Sequence, residues 1–125
     1  MEQSLMGLRG VGRFKELRHG DPAGPSIGER VRYADETKTR LLSYLAAAPV
    51  LAASGSVVVD HFDGAYIGPL HLHTDGHWTW YSDLAHYLEA RDVLLDADFV
   101  AHVLAASIES LQSVDLDEAQ RRFFE

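Results

Sequence analysis

The chain has 125 residues, the size of one typical domain, and carries a net charge of −8. It contains no cysteine, which excludes a disulfide, a thiolate metal site and a thiol nucleophile and fits a reducing cytoplasm. No secretory leader or apolar run of membrane length is apparent. We therefore expect a single cytoplasmic domain over residues 1–125, without a membrane partner.

The charge is distributed unevenly along the chain. Residues 1–40 contain eight basic and six acidic side chains, whereas residues 41–125 contain three basic and thirteen acidic ones. An acidic surface disfavours nucleic acid, whose phosphates must be neutralised by Lys and Arg, and it speeds the encounter with a basic protein. The pattern therefore favours a protein partner, although a surface that merely keeps the protein soluble explains the same charge equally well.

The first third of the chain divides into a loose segment and a helix. Residues 1–26 contain five glycines and two prolines, which predicts a loosely structured N-terminal segment. From Asp35 the apolar residues recur at helical spacing, with Asp35 as the expected N-cap and Pro49 as the stop. This pattern predicts a helix that ends at Pro49 and starts at Asp35 or, as an alternative, further toward the N-terminus within residues 27–34.

The centre of the chain is predicted to form strands. Val57–Phe62 is short and rich in β-branched residues, which is typical of a strand. The stretch Pro69–Trp80 reads as two strands joined by a two-residue type I′ turn at Asp75-Gly76. That turn would place His73 opposite Trp78 and His71 opposite Trp80, with all four side chains on one face of the hairpin.

The last third of the chain returns to helical periodicity. We expect one helix from Ser82 or Asp83 to Arg91, a second that starts at Asp96 and carries an apolar stripe as far as Leu111, and a final one over Leu116–Phe124. The predicted fold class is α+β. In it, a small antiparallel sheet is built on a central β-hairpin (69–74/77–80), and the helices pack on one face of the sheet, against Trp78 and Trp80.

The histidine pair in the hairpin is a candidate metal site. His71 and His73 point the same way from one strand, and neutral imidazole is a common zinc ligand. A third ligand would come from a nearby residue: Asp60, His61 or Asp63. The facing tryptophans would fill the space of the ion and its water, so we expect no metal or other cofactor. A metal-dependent hydrolase using His71 and His73 remains an alternative.

No complete catalytic constellation is visible in the sequence. A G-x-S-x-G nucleophile motif is absent, and the available carboxylate pairs are no more than any acidic protein offers. The aromatic group Trp78, Trp80, Tyr81 and Tyr87 is either core or a set of anchors at a protein interface. If it lined an open pocket instead, a small-ligand sensor would be the further alternative.

Several short motifs together suggest a family. They are Tyr44-Leu45, Pro69-Leu70, Thr74-Asp-Gly-x-Trp-x-Trp80, Leu84-x-x-Tyr87-Leu88 and Phe99-Val100-Ala101-His102. In these motifs the chain resembles a group of small, mostly uncharacterised actinobacterial proteins. In size, acidity and lack of a catalytic motif such proteins are similar to the immunity and antitoxin-like partners of bacterial toxins. The resemblance implies no catalytic residues.

We therefore expect a non-catalytic, bacterial protein-binding protein of the immunity or antitoxin-like kind. Its acidic surface would neutralise a basic toxin or effector, and exposed aromatic residues would anchor the contact. The residues expected to contact the partner are Asp60, Asp63, Asp92, Asp96, Asp98, Trp80 and Tyr81.

Overall fold

The computed structural model describes residues 7–124, so the part of the predicted loose segment that precedes Gly7 lies outside the described residues. The strands are β1 (Arg9–Gly10), β2 (Val50–Val59), β3 (Tyr66–Thr74) and β4 (Trp78–Tyr81). The α-helices are α1 (Asp35–Ala47), α2 (Leu84–Arg91), α3 (Ala97–Ala105) and α4 (Leu116–Phe124). A 3-10 helix, Ile108–Ser113, lies between α3 and α4.

The predicted α+β class and the central hairpin are confirmed. The four strands form one sheet in the order β1-β4-β3-β2, with β3 and β4 as the hairpin at its centre. One detail differs from the prediction: β1 pairs with β4 in parallel, so the sheet is mixed and not wholly antiparallel. Strand β2 starts immediately after Pro49 and ends at Val59, so it is longer than the predicted Val57–Phe62 but excludes residues 60–62. Those residues lie in a turn in which Asp60 accepts the N–H of Phe62.

The hairpin is closed by a longer loop than the predicted two-residue turn. Thr74 pairs with Thr79 and His73 pairs with Trp80, so the register differs by two residues from the expected one. Of the two loop residues, Gly76 alone has a positive φ, of 94°, whereas a type I′ turn needs positive φ at both. Because the shift is an even number of residues, the division of side chains between the two faces is unchanged.

The Asp75 side chain explains the longer loop. Its Oδ1 accepts hydrogen bonds from the backbone N–H groups of His77 at 2.9 Å and Trp78 at 2.7 Å. The hydroxyl of Thr74 adds a bond to the Trp78 carbonyl at 2.8 Å. These side-chain bonds replace the backbone pairing of a tight turn, as Asp and Thr often do in loops.

Helices cover both faces of the sheet, and this differs from the predicted one-sided packing. The main core lies between α1, α2, α3 and the face that carries Trp78 and Trp80. On the opposite face, Ala119 of α4 is buried against Leu51 and Leu72. The hairpin is therefore enclosed by helices on both of its faces.

Three aspartates near helix starts behave differently from one another. Asp96 caps α3 as predicted, since its side chain accepts the N–H of Asp98 at 2.8 Å. Asp35 is the first residue of α1 and makes no side-chain cap. Asp83 precedes α2 but its carboxylate faces His19 instead of the helix.

The predicted helix from Asp96 to Leu111 is divided in two. Helix α3 ends at Ala105, and Ala106 is extended. The Ser107 hydroxyl then accepts the N–H of Ser110 and starts the 3-10 helix. Leu111 is still buried in the main core, so the apolar stripe was read correctly although the helix breaks within it.

The segment before α1 contains little regular structure, but it is packed. Between Gly7 and Ser26, β1 is the only strand and there is no helix. Val11 and Phe14 nevertheless belong to the main core. No helix within residues 7–124 is long and apolar enough to cross a membrane.

Candidate partner-binding site at the Asp75 turn

Three buried aspartates are each hydrogen-bonded to a histidine that lies nearer the surface. The Nε2–Oδ2 distances are 2.6 Å for His86–Asp60, 2.8 Å for His102–Asp75 and 2.8 Å for His19–Asp83. The aspartate side chains are at most 3 % exposed, whereas the histidine side chains are 15–32 % exposed. A buried charge is costly unless it is paired, so each histidine helps to keep its carboxylate inside the fold.

Asp75 is the centre of one of these networks. Its Oδ2 accepts a hydrogen bond from the Tyr44 hydroxyl at 2.6 Å and is 2.8 Å from Nε2 of His102. Its Oδ1 accepts the backbone N–H groups of His77 and Trp78, so four donors face one carboxylate. The network ties helix α1, the hairpin loop and helix α3 together.

The tyrosine in this network is strongly held in its protonated form. Burial raises the pKa of the Tyr44 hydroxyl far above its ordinary value, and the hydrogen bond to Asp75 raises it further. Tyr44 is 1 % exposed. Its hydroxyl therefore acts as a permanent hydrogen-bond donor to Asp75 and is no candidate for a catalytic base.

A cavity of about 370 Å³ opens beside Asp75. Its polar lining includes Asp75, His77, His102, Ser110, Asp115 and Glu118. This volume falls at the lower end of the range for ligand pockets, which is about 300–1,000 Å³. The cavity is thus suited to a small group, such as one side chain of a partner.

Asp60 differs from Asp75 because it has a permanent cation. An Arg91 guanidinium nitrogen lies 3.2 Å from Oδ1 of Asp60. Burial alone would raise the pKa of Asp60, but hydrogen bonds from His86 and from two backbone N–H groups, together with the Arg91 charge, lower it to about 2. Within residues 7–124, no Lys or Arg pairs with Asp75.

Part of the cavity wall, including His102, Asp115 and Glu118, comes from a strongly acidic segment. Residues 92–118 contain seven acidic side chains and no Lys or Arg. They form helix α3, the 3-10 helix and the start of α4. The acidic residues are Asp92, Asp96, Asp98, Glu109, Asp115, Asp117 and Glu118.

Several of these acids are already paired with cations. Asp92 bonds to Lys38 at 2.9 Å, and Arg9 lies 3.3 Å from Asp98 and 3.8 Å from Asp96. Glu118 pairs with Arg121. The exposed acids Glu109, Asp115 and Asp117 form no ion pair within the described part of the chain. They carry the excess negative charge of this surface.

The structure divides the predicted partner-binding residues into accessible and inaccessible ones. Asp60 and Trp80 are 2 % and 1 % exposed, so they cannot contact a partner. Asp63 is exposed but pairs with Arg91, and Tyr81 is half-buried. Asp92, Asp96 and Asp98 have exposed carboxylates, and they belong to the acidic segment that forms part of the cavity wall.

The two histidines considered as metal ligands have other surroundings. His73 Nδ1 lies 2.9 Å from the Ala48 carbonyl. The His71 ring lies with its Nδ1 buried and without a hydrogen-bond partner within residues 7–124. Asp60, a suggested third ligand, is held by His86 and Arg91. Across residues 7–124, no group of three or more His, Cys, Asp and Glu side chains is arranged to hold a metal ion.

The aromatic group is mostly core. Trp78, Trp80 and Tyr87 are at most 4 % exposed, and Phe99 packs between the two tryptophans with ring centroids 5.2 Å and 5.4 Å away. A small-ligand sensor that used this group as an open pocket wall therefore lacks its pocket. The cavity beside Asp75 is lined by other residues.

Sequence reasoning missed the aspartate–histidine pairs. The partners are 26, 27 and 64 positions apart, and no motif links them. The available signal was a count of seven histidines in an acidic chain. That count does not say which histidine meets which carboxylate.

Comparison with known proteins supplies no further assignment. A scan against protein-family models finds no matching family, and searches of curated proteins and of solved structures find no match.

Proposed function

We propose that this protein is a non-catalytic binding protein, of the immunity or antitoxin-like kind, that blocks a basic protein partner. The observation that carries the proposal is the acidic segment 92–118, which has seven acids and no basic residue and forms part of the wall of a cavity. The kind of protein comes from the resemblance in sequence motifs. The mode of binding comes from the charge and shape of this surface.

The physical role of the segment is to steer the partner. A surface of one sign raises the encounter rate with a partner of the opposite sign, and salt screens that attraction. Glu109, Asp115 and Asp117 contribute most, because their charges are exposed and form no ion pair within residues 7–124. Asp96 and Asp98 contribute less because Arg9 already faces them.

An exposed aromatic surface lies at the other end of β3. Tyr66 is 66 % exposed and Phe62 is 43 % exposed. Tyr66 starts the strand that ends at Thr74, so about 25 Å separates it from the Asp75 turn at the usual rise per residue. Arg91 and Arg30 lie over the Phe62 ring at 4.7 Å and 6.0 Å. These cations make that end a poorer match for a basic partner.

The proposal is tested by capturing the partner from the native host and measuring its association rate. Raising the salt concentration from 0.1 M to 1 M shortens the Debye length from about 10 Å to about 3 Å. We expect the rate to fall by about tenfold or more. Glu109→Lys combined with Asp117→Lys should lower the rate at 0.1 M salt to a similar extent.

The matched control is Glu36→Lys combined with Glu89→Lys. These two acids are also exposed, and the exchange alters the net charge by the same amount. A specific steering surface predicts a much smaller effect for the control pair. Equal effects of the two pairs, a rate that ignores salt, or the lack of any protein partner would each contradict the proposal.

A further inference from the structure

The cavity beside Asp75 joins three features that the steering role does not require. It has a volume of about 370 Å³ that is partly open to solvent, a buried carboxylate at its wall and no Lys or Arg among its lining residues. Electrostatic steering of a partner requires only that the charges are exposed. A walled cavity with a buried anion is instead the arrangement of a site that receives a specific cationic group.

The ring of His102 is oriented so that it can accept a hydrogen bond. Its Nε2 faces Asp75, and because a carboxylate only accepts hydrogen bonds, Nε2 carries the proton. When the ring is neutral its lone pair lies on Nδ1, which bonds to no residue within 7–124. Asp75 thus fixes the tautomer of His102, as carboxylates do for histidines at other sites.

Four further side chains of the wall can accept hydrogen bonds. Asp115 and Glu118 supply carboxylates, and the Ser110 and Ser113 side chains supply hydroxyls. Arg121 pairs with Glu118, and Arg40 bonds to the carbonyl of Ala106. A third arginine, Arg122, donates to the carbonyl of Gly76 at 3.4 Å. None of these three arginines forms an ion pair with Asp75 or Asp115 within residues 7–124. Because Asp75 already accepts four hydrogen bonds, the exposed Asp115 is the acid of the wall that a partner can reach.

We infer that this cavity binds the guanidinium group of an arginine side chain from the basic partner. A guanidinium has five N–H donors in a plane and no acceptor, which matches a wall of carboxylates, hydroxyls and one imidazole nitrogen. An ammonium group offers three donors at a single point and would leave part of the wall unpaired. The inference rests on the proposed function, because it names the group of the basic partner that enters the surface.

The test is a titration of the protein with blocked arginine, N-acetyl-arginine methylamide, followed by NMR of the His77 and His102 rings. We expect both rings to shift in a saturable manner. Blocked citrulline has the same shape without the charge, and it should bind at least about tenfold more weakly. The affinity for blocked lysine should lie between those for blocked arginine and blocked citrulline.

Two double variants localise the binding. The variant Asp115→Asn with Glu118→Gln keeps the cap of α4, since Asn is also a good N-cap. Its affinity for blocked arginine should be about tenfold lower than that of the wild type. Asp96→Asn with Asp98→Asn removes the same charge outside the cavity lining and should leave the affinity within about twofold.

Failure of this inference is distinguishable from failure of the proposed function. If blocked arginine shifts neither ring, or citrulline shifts both equally, the arginine pocket is wrong even when partner association remains salt-dependent. If blocked arginine saturates the cavity but no basic partner exists, the proposed function is wrong. Equal weakening by the two double variants would also overturn the pocket, because a diffuse charge effect would explain it.

Discussion

The two ends of strand β3 are built alike and differ in one charge. Asp60 precedes the strand in the turn from β2, and Asp75 follows it in the turn to β4. In each turn Oδ1 accepts the backbone N–H groups two and three residues further on, and Oδ2 meets Nε2 of a helical histidine. At the Asp60 end Arg91 completes the site. At the Asp75 end a tyrosine hydroxyl and a cavity take that place.

This difference separates a structural site from a candidate binding site. Asp60 has its cation within the fold, and its pKa of about 2 reflects a carboxylate whose hydrogen bonds and ion pair outweigh its burial. Asp75 is equally buried, but within residues 7–124 its partners are neutral groups or a histidine. The same turn chemistry is therefore neutralised by an ion pair to Arg91 at one end of β3. At the other end Arg122 donates to the Gly76 carbonyl at 3.4 Å but does not pair with Asp75, so no Lys or Arg within residues 7–124 neutralises the Asp75 charge.

The largest expected effect is the loss of the Asp60 charge. Asp60→Asn leaves the Arg91 guanidinium facing an amide, and Arg91 has no means of accepting a hydrogen bond. We expect a loss of about 3 kcal/mol in the free energy of unfolding, measured by urea denaturation at neutral pH. Asp75→Asn should cost about half of that, because the Tyr44 hydroxyl can rotate and His102 can change its tautomer to suit an amide.

The control for this pair is Asp63→Asn. Asp63 contacts the same Arg91 from an exposed position, with its side chain 58 % accessible, so its loss should cost at most about 1 kcal/mol. If Asp75→Asn proves as costly as Asp60→Asn, the charge difference between the two turns is not what distinguishes them.

Unfolding at low pH tests the contribution of the Asp60 charge separately. The pKa of Asp60 is lowered from 3.8 to about 2 by folding, so its contribution is fully present above pH 4 and is lost as the pH falls toward 2. The loss amounts to about 2 kcal/mol. The difference in free energy of unfolding between the wild type and Asp60→Asn should accordingly decrease as the pH falls from 5 to 2. A gap that stays constant over this range would show that the Asp60 charge contributes nothing.

Removal of the Tyr44 hydroxyl should have a smaller effect. Tyr44→Phe takes one of four donors from Asp75 while preserving the packing of the ring, and we expect a loss of about 1.5 kcal/mol in urea denaturation. Tyr81→Phe is the matched control, since its hydroxyl makes no hydrogen bond within the described residues. Similar losses in the two variants would mean that the Tyr44–Asp75 bond does not support the turn.

Alanine substitution of the glycine in each turn should have the smallest effect on the free energy of unfolding, and the effect should be equal at both ends. Gly76 and Gly64 have φ angles of 94° and 74°, which side chains with a Cβ rarely adopt. Neither Gly76→Ala nor Gly64→Ala creates a close contact, because the nearest atom is 3.9 Å away in the first case and beyond 4 Å in the second. Each should cost about 1 kcal/mol by thermal or urea unfolding. Gly28→Ala, at an ordinary φ, should cost clearly less.

Local patterns predicted most of the fold. The Asp-Gly pair located the central hairpin, and Asp96 and Pro49 located a helix start and a helix end. The predicted register of the hairpin was wrong because the Asp75 side chain accepts the N–H groups of His77 and Trp78 and so supports a longer loop, which the backbone bond from Asp75 N–H to the Trp78 carbonyl also closes. The parallel strand β1 was missed because it contains just two residues, too few to show alternation.

The candidate site could not be predicted from the same patterns. The Tyr44–Asp75–His102 network joins residues from two helices and a loop that are 27 and 31 positions apart. Asp75 was read correctly as a turn residue, but turn chemistry does not reveal whether its carboxylate points to solvent or into the fold. Asp60 and Trp80 were placed on the partner surface because a sequence shows composition, whereas burial depends on packing between distant elements.

The most direct test of the account is to ask which end of β3 the partner touches. A photo-crosslinking amino acid would replace Gln112, which is exposed on the 3-10 helix in the acidic segment. In a second variant it would replace Tyr66, at the Asp60 end. With the partner captured from the native host, we expect crosslinking from position 112, reduced by 1 M salt, and little from position 66. Efficient crosslinking from position 66 with none from position 112 would contradict the assignment of the Asp75 end as the binding site.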